Sequence, residues 1–397
     1  MSSYSDSLSG LASQLSQLAT SSSSDDEKNK EAVIIAQNVL HAAGGLMPDW
    51  VDRMTNVMQV VGLKLFLDWK AFDIIPLDNS VSYDHLARHL VADVSLVRRL
   101  SGVLIAGGIL TQIDEDRVAH TEKSKSYLSG APGELLLHTM QVLYEEHILT
   151  FLKLPEYFAL YGRREPTTRT HTPYAFARGK PESEVWQIHE ENPEHVKRTM
   201  KAMEMAQHFV PIEGIYDFSW VEAKLSEDAE RPIFVDVGGG KGHAIKAILK
   251  ENSFLPAERV ILQDRKDVIE QVVALKDPGL ERVKLQAHDF HTEQPTKNAL
   301  IYWIRRCLHD FGDEDSAKIL SQLSDAMGSD SKVLVVEQVL RSPPSLMGAM
   351  TDFAMMNIGG KERTAVDWET LVARAGLRIE KIHGMNMKMQ VIECVKV

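Results

Sequence analysis

Ile233-Phe234-Val235-Asp236-Val237 is an apolar run with one acid near its end, and it leads straight into Gly238-Gly239-Gly240-Lys241-Gly242-His243. A helical stretch, Ala244 to Leu249, follows. Strand, glycine turn and helix in that order form a ligand crevice at the carboxyl edge of an open α/β sheet. Glycine suits the turn because it admits positive φ and lets a ligand approach the backbone. The turn alone specifies only a nucleotide-like ligand, since nicotinamide enzymes use similar glycines. After Arg231-Pro232 the chain alternates strand and helix, which predicts an α/β, Rossmann-like domain over 226–397.

The later strands narrow the ligand. Arg259-Val260-Ile261-Leu262-Gln263-Asp264 ends in an acid at the distance from which a carboxylate reaches ribose hydroxyls. A third strand ends at Asp289-Phe290, where a carboxylate can accept from an adenine amino group and a ring can cover the base. A fourth, Ala299 to Ile304, leads into Arg305-Arg306-Cys307-Leu308-His309-Asp310-Phe311. A fifth, Lys332 to Glu337, also ends in an acid. Successive strand ends therefore deliver polar groups to one crevice.

The 397 residues exceed what one core usually organises. Residues 1–28 read as a serine-rich leader, although Leu8, Leu11, Leu15 and Leu18 make one apolar helical stripe. Residues 29–130 read as a mostly helical unit, with Met54, Val57, Met58, Val61, Leu65 and Phe66 on one broad face. Within it, helix Tyr83–Leu90, a helix capped by Asp93 and stopped at Gly107-Gly108, and a hairpin around Asp114-Glu115-Asp116 make a winged-helix pattern. Residues 131–225 read as helical linker and pocket, broken at prolines such as Pro155, with an aromatic loop over 167–180. Arg98 and Arg99 lie where a DNA-reading helix would place them, but the acidic hairpin tip and net charge of −12 favour packing and dimerisation over nucleic acid. Cys307 and Cys394 are too few for a disulfide framework or a zinc site, so no metal is expected. No apolar run is long enough to span a bilayer, and the first residues lack a signal core; the cytosol is expected.

The order Val235-Asp236-Val237-Gly238-Gly239-Gly240, Asp264, Asp289-Phe290, Arg305 with Leu308-His309-Asp310, Glu337, then Gly359-Gly360-Lys361-Glu362-Arg363-Thr364 closely resembles the fungal and plant small-molecule O-methyltransferases, similar to the caffeate and flavonoid enzymes. The resemblance covers nearly the whole chain. It implies a class I methyltransferase domain, a winged-helix dimerisation domain and a homodimer. It also implies S-adenosylmethionine as cofactor, with Gly238, Gly239 and Gly240 along its methionine part, Asp264 on the ribose, Asp289 and Phe290 on the adenine, and Arg305 beside it. Met203 falls where such enzymes often place a methionine near the sulfonium, although Thr199 stands where the family has an aromatic.

The resemblance makes His309 the general base and Glu337 and Glu362 the carboxylates that orient it. Asp310 either joins the chemistry or caps the following helix. The implied reaction methylates a phenolic or enolic hydroxyl of a small molecule, such as a fungal secondary metabolite. The rival keeps the fold and cofactor but runs a pericyclic or dehydration step. Met350, Met355, Met356 and Asn357 either line the acceptor pocket, drawn from segments 134–215 and 346–358, or form core. Trp303 and Trp368 read as packing residues, and His138, His147 and His288 as ordinary histidines.

Overall fold

The computed structural model describes residues 2–20, 46–130, 142–192, 210 and 212–397, with isolated residues between 28 and 39 and at 196 and 199. The side chains of 2–8 and 46–49 lie outside that description, as do His138 and Met203. Contacts divide the chain into two compact units, Met1–Leu137 and His138–Val397.

In the first unit the leader forms helix α1 (Ser2–Thr20), in which Leu18 is buried and Leu15 exposed. Helix α2 (Leu46–Asp68) buries Leu63, Phe66 and Leu67. Its other apolar stripe, with Trp50, Met54, Val57, Met58 and Val61, faces outward. The one broad face expected from spacing is thus two faces, and only one is buried among the described residues. Strand β1 (Ser80–Ser82) runs into helix α3 (Tyr83–Leu90), whose cap is the Ser82 hydroxyl accepting from His85 N. Helix α4 (Val94–Ala106) begins after Asp93, but the Asp93 side chain makes no capping bond. Strands β2 (Leu110–Asp114) and β3 (Arg117–His120) form the hairpin, and β1 adds to β3 to give the order β1-β3-β2. Arg98 lies over the Tyr83 ring and pairs with Asp116 at 2.9 Å, so it is engaged by the hairpin tip. His120 is buried with Nε2 within 3.1–3.2 Å of the carbonyls of Ile75 and Phe72, and burial lowers its pKa.

The second unit opens on a π-helical turn, Tyr144–Ile148, that continues into helix α5 (Leu149–Tyr161). Pro155 sits inside α5 and does not break it as its residue type suggested. The ring removes one donor, and the helix carries on past it. The aromatic loop contains a short helix, α6 (Pro173–Ala177), capped by Thr172. The alternating part then supplies β4 (Phe234–Val237), α7 (His243–Glu251), β5 (Val260–Asp264), α8 (Lys266–Leu275), β6 (Lys284–Ala287), β7 (Ile301–Arg305), α9 (Asp313–Ala326) and β8 (Lys332–Glu337). Next come β9 (Val339–Leu340), α10 (Leu346–Met356), β10 (Arg363–Thr364), α11 (Ala365–Arg374), β11 (Leu377–His383) and β12 (Gln390–Lys396).

Seven strands make one sheet in the order β11-β12-β8-β7-β4-β5-β6. β6, β5, β4, β7 and β8 pair in parallel, and β12 pairs antiparallel with both β8 and β11. The central strands are buried on both faces, which is why they read as unbroken apolar runs. Apolar side chains pack on each face, Trp303 in one cluster and Trp368 in the other, both fully buried. Chain order reverses on either side of β4, and open α/β sheets bind ligands outside the carboxyl ends at such a switch. Among the described residues no helix is long and apolar enough to cross a membrane.

Candidate functional site

The glycine turn leaves β4 at that switch. Gly238, Gly240 and Gly242 have φ of 70°, 58° and 72°, conformations that side-chain-bearing residues rarely adopt. A Cβ on Gly238 would sit 2.9 Å from Cys307 Sγ and 3.3 Å from the Phe290 ring. The loop is thus pressed against the residues that follow β6 and β7. Gly240 N donates to Asp264 Oδ2 at 2.7 Å, and Arg265 N to Asp264 Oδ1 at 2.7 Å. Burial raises the Asp264 pKa even so, with those two amides opposing.

Beneath the turn lies Asp236, part of the strand-and-glycine motif but without a contact of its own assigned from spacing. Asp236 is buried on β4, and its Oδ2 has no hydrogen-bond partner among the described residues. Burial pushes its carboxyl up to about 7, against the pull of Arg305. Arg305 spends Nη2 on Val210 O at 3.0 Å, while its buried Nε has no partner among the described residues. An acid just before the end of an apolar strand was the available signal for Asp236. Asp289 is exposed and accepts from His291 N at 3.0 Å. Phe290 meets His291 and Phe311 edge-on, with ring centroids 4.9 and 5.9 Å away. His291 and Phe311 thereby extend the aromatic group beyond the one ring expected.

His309 sits on a one-turn helix, Leu308–Asp310, just past β7. Its Nδ1 is 3.0 Å from Glu362 Oε1 and 3.8 Å from Glu337 Oε2. Its Nε2 is 3.5 Å from Asp310 Oδ1. Glu337, at the end of β8, is itself fixed, because its Oε1 accepts from the amides of Cys307 and Leu308 at 3.0 Å each. The Glu362 backbone N donates to Asp352 Oδ1 at 2.9 Å. The segment carrying Glu362 lies hard against the base: Lys361 N donates to His309 O at 2.9 Å, and a Cβ on Gly360 would fall 2.0 Å from that oxygen. Only glycine fits there without a shift. Helix α9 is capped at Gly312, so Asp310 is not its cap. Its carboxylate belongs to the histidine cluster instead.

Burial opposes protonation of His309, but Glu337, Asp310 and Glu362 together outweigh it and raise the imidazole to about 9. Burial also raises Glu337 and Asp310, with His309 pulling the other way. The group is one base in a buried, acidic surround. His309, Glu337 and Glu362 are also the one set among the described residues with ligand atoms close enough to hold a metal ion.

On α10, Met350 is exposed, Met355 and Met356 are half-buried, and Phe353 meets Phe151 of α5 at 4.9 Å. Asn357 is fully buried, its amide Nδ2 3.2 Å from His147 Nδ1. His147, read as ordinary, sits on the π-helical turn, and burial lowers its pKa.

Comparison with known proteins agrees with this fold. The family model of the O-methyltransferase domain matches residues 163–378. A curated methyltransferase of Aspergillus candidus, cfoD, is 34% identical over 97% of this chain and 97% of its own. The crystal structure of OxaC superposes with a TM-score of 0.85 at 23% identity, covering 100% of this chain and 98% of that one. A structure described as a pericyclic reaction enzyme gives a TM-score of 0.77 at 23% identity over 99% and 100%. These two share the class I methyltransferase fold with this chain.

Proposed function

Because this chain belongs to the O-methyltransferase domain family, as a S-adenosylmethionine-dependent enzyme of it, we propose that it methylates a phenolic or enolic hydroxyl of a small molecule, with His309 as general base. The observation that carries this is the imidazole held at Nδ1 by Glu362, leaving Nε2 as the atom that can take a proton. Fungal relatives such as cfoD make a secondary metabolite the acceptor class of choice.

The residues present fit the cofactor. Gly238 and Gly239 stand where a Cβ would clash, Asp264 is poised at the end of β5, and Asp236 Oδ2 and Arg305 Nε are buried polar atoms without a hydrogen-bond partner among the described residues. Gly238, Gly239, Gly240 and Arg305 would hold the methionine part, Asp264 the ribose, and Asp289 and Phe290 the adenine. Met203 is proposed near the sulfonium. When bound, S-adenosylmethionine supplies an electrophilic methyl group.

The rest is done by the chain. His309 Nε2 takes the hydroxyl proton as the oxygen attacks, and Glu362 and Glu337 stabilise the imidazolium that forms. A free imidazole near 6.5 is mismatched with a phenol near 10 by about 3.5 pKa units. At about 9 the buried imidazole closes most of that gap. Asp310, beside Nε2, attracts the same proton. The chain's positioning of the bound acceptor against the cofactor site would supply the remaining acceleration.

The exposed stripe of α2 supports a homodimer through the first unit. Two widely separated free cysteines suit a reducing compartment such as the cytosol. The deciding experiment is mass spectrometry with isotope-labelled cofactor and candidate phenols and enols. Label in the product supports methyl transfer. Acceptor conversion without label supports the pericyclic or dehydration reading.

A further inference from the structure

We propose that the side chains that hold the base also bind one divalent transition cation of the zinc class, and that occupancy blocks methyl transfer. The binding claim stands on geometry alone, and the inhibitory claim rests on the role given to His309 above.

One ligand atom from each of His309, Glu337 and Glu362 lies within 4.8 Å of the others. Zinc bonds to nitrogen and oxygen are about 2.0–2.2 Å, which places neighbouring ligand atoms of a tetrahedron roughly 3.4 Å apart. The observed separations from Nδ1, 3.0 Å to Glu362 and 3.8 Å to Glu337, bracket that value. These two separations need adjustments of only a few tenths of an ångström, and the two carboxylate oxygens lie within 4.8 Å of each other.

A second observation points the same way. Glu337 and Glu362 are 0% and 5% exposed, and each has a buried Oε2 without a hydrogen-bond partner among the described residues. A buried carboxylate oxygen lacking a donor is costly, and a cation at these positions would satisfy that of Glu337. The ligands are also braced from behind. Glu337 is held through its other oxygen by the Cys307 and Leu308 amides, and the Glu362 backbone by Asp352. Such outer contacts orient metal ligands and sharpen affinity.

One imidazole and two carboxylates suit zinc or cobalt. Calcium takes six to eight oxygens and magnesium prefers a largely hydrated octahedron, so neither matches. A metal on Nδ1 takes the place of the proton shared with Glu362. The remaining ring proton then resides on Nε2, which can no longer accept one from a hydroxyl. No bond of the substrate is made or broken; the cation competes with a proton.

The test is a visible-absorption titration of the full chain with cobalt(II) chloride after chelator treatment. The expected result is one equivalent per chain with the intense bands of four- or five-coordinate cobalt, displaced by zinc chloride. Glu337→Gln and Glu362→Gln should each weaken binding at least tenfold, with S-adenosylhomocysteine titration confirming that they still fold. The exposed pair His85 and His89, with rings 4.2 Å apart on α3, is the competing surface site. His85→Ala should leave the single equivalent intact. Absence of the bands, their survival in both glutamine variants, or their loss in His85→Ala overturns the site. Labelled-methyl transfer should fall in proportion to occupancy, and an unchanged rate with the site filled overturns the inhibitory role. Cobalt binding with no acceptor methylated upholds the site and refutes the proposed reaction instead.

Discussion

Glu362→Gln separates how the base is held from how it is charged. The substitution keeps the shape of the side chain and removes one of three carboxylates around His309. Raising the imidazole from 6.5 to about 9 corresponds to about 3 kcal/mol in favour of the protonated ring, at 1.36 kcal/mol per unit. At pH 7.5 only about one molecule in thirty then carries the neutral base. The pH profile of kcat/KM for labelled-methyl transfer should therefore rise tenfold per unit and level off near pH 9. Losing one contacting opposite charge shifts a pKa by about 1–3 units, so in Glu362→Gln the plateau should begin at roughly pH 8 or below. The plateau itself should be lower, because Nδ1 is no longer held by an anion. Two acceptors of different acidity distinguish enzyme from substrate ionisation. A limb near 6.5 in the unaltered protein, or one that follows the acceptor, would refute the reasoning.

His309→Ala should lower turnover by about 10²–10⁴-fold, while calorimetry finds S-adenosylhomocysteine binding intact; retained methylation would remove His309 as the base. Gly360→Ala forces its Cβ to within 2.0 Å of His309 O unless the loop moves. It should cost about 1–3 kcal/mol of stability and reduce kcat more than cofactor affinity, checked by denaturant melts and steady-state kinetics. Met58→Asp, on the exposed stripe of α2, should shift the sedimentation coefficient from dimer to monomer, and a monomeric parent protein at micromolar concentration would count against the homodimer. Thermal stability of the cofactor-free chain should fall as pH rises from about 6.5 through about 9. His309 has a raised pKa, so its contribution is complete below 6.5 and is lost as pH rises through about 9. His120, His147, His288 and His291 have lowered values, mainly from burial, so theirs is present above 6.5 and lost as pH falls. A melting temperature that climbs steadily to pH 9 would contradict this.

Strands β4, β5, β7 and β8 were legible because strands buried on both faces are continuous apolar runs. β12 was not, because it carries Glu393 in mid-strand. That carboxylate is buried and accepts from Tyr216 OH at 3.2 Å and His383 Nε2 at 2.7 Å, with Lys332 against it. A charge satisfied by groups remote in sequence has no local signature. β1 is too short to show a period, and Pro155 signalled a break that α5 absorbs. At the site, the glycines, Asp264, His309, Glu337 and Glu362 follow a motif order, and the order located them. Asp236 escaped because its lack of partners is a property of packing. Which of its two readings Asp310 follows depended on where α9 is capped, which spacing alone did not fix.

β12 lies between β8 and β11 although it follows both in the chain. Gln390 stands opposite Glu337 and accepts from Val339 N at 2.7 Å, so this strand fixes the place where the Glu337 carboxylate is presented. Pairings between nearby segments form earlier than those that close long loops. The β4–β5 edge, with its glycine turn and Asp264, joins neighbours in sequence, whereas the β8 edge must wait for a distant segment. The place of the Glu337 carboxylate, and with it the setting of the base, thus depends on the last strand of the chain.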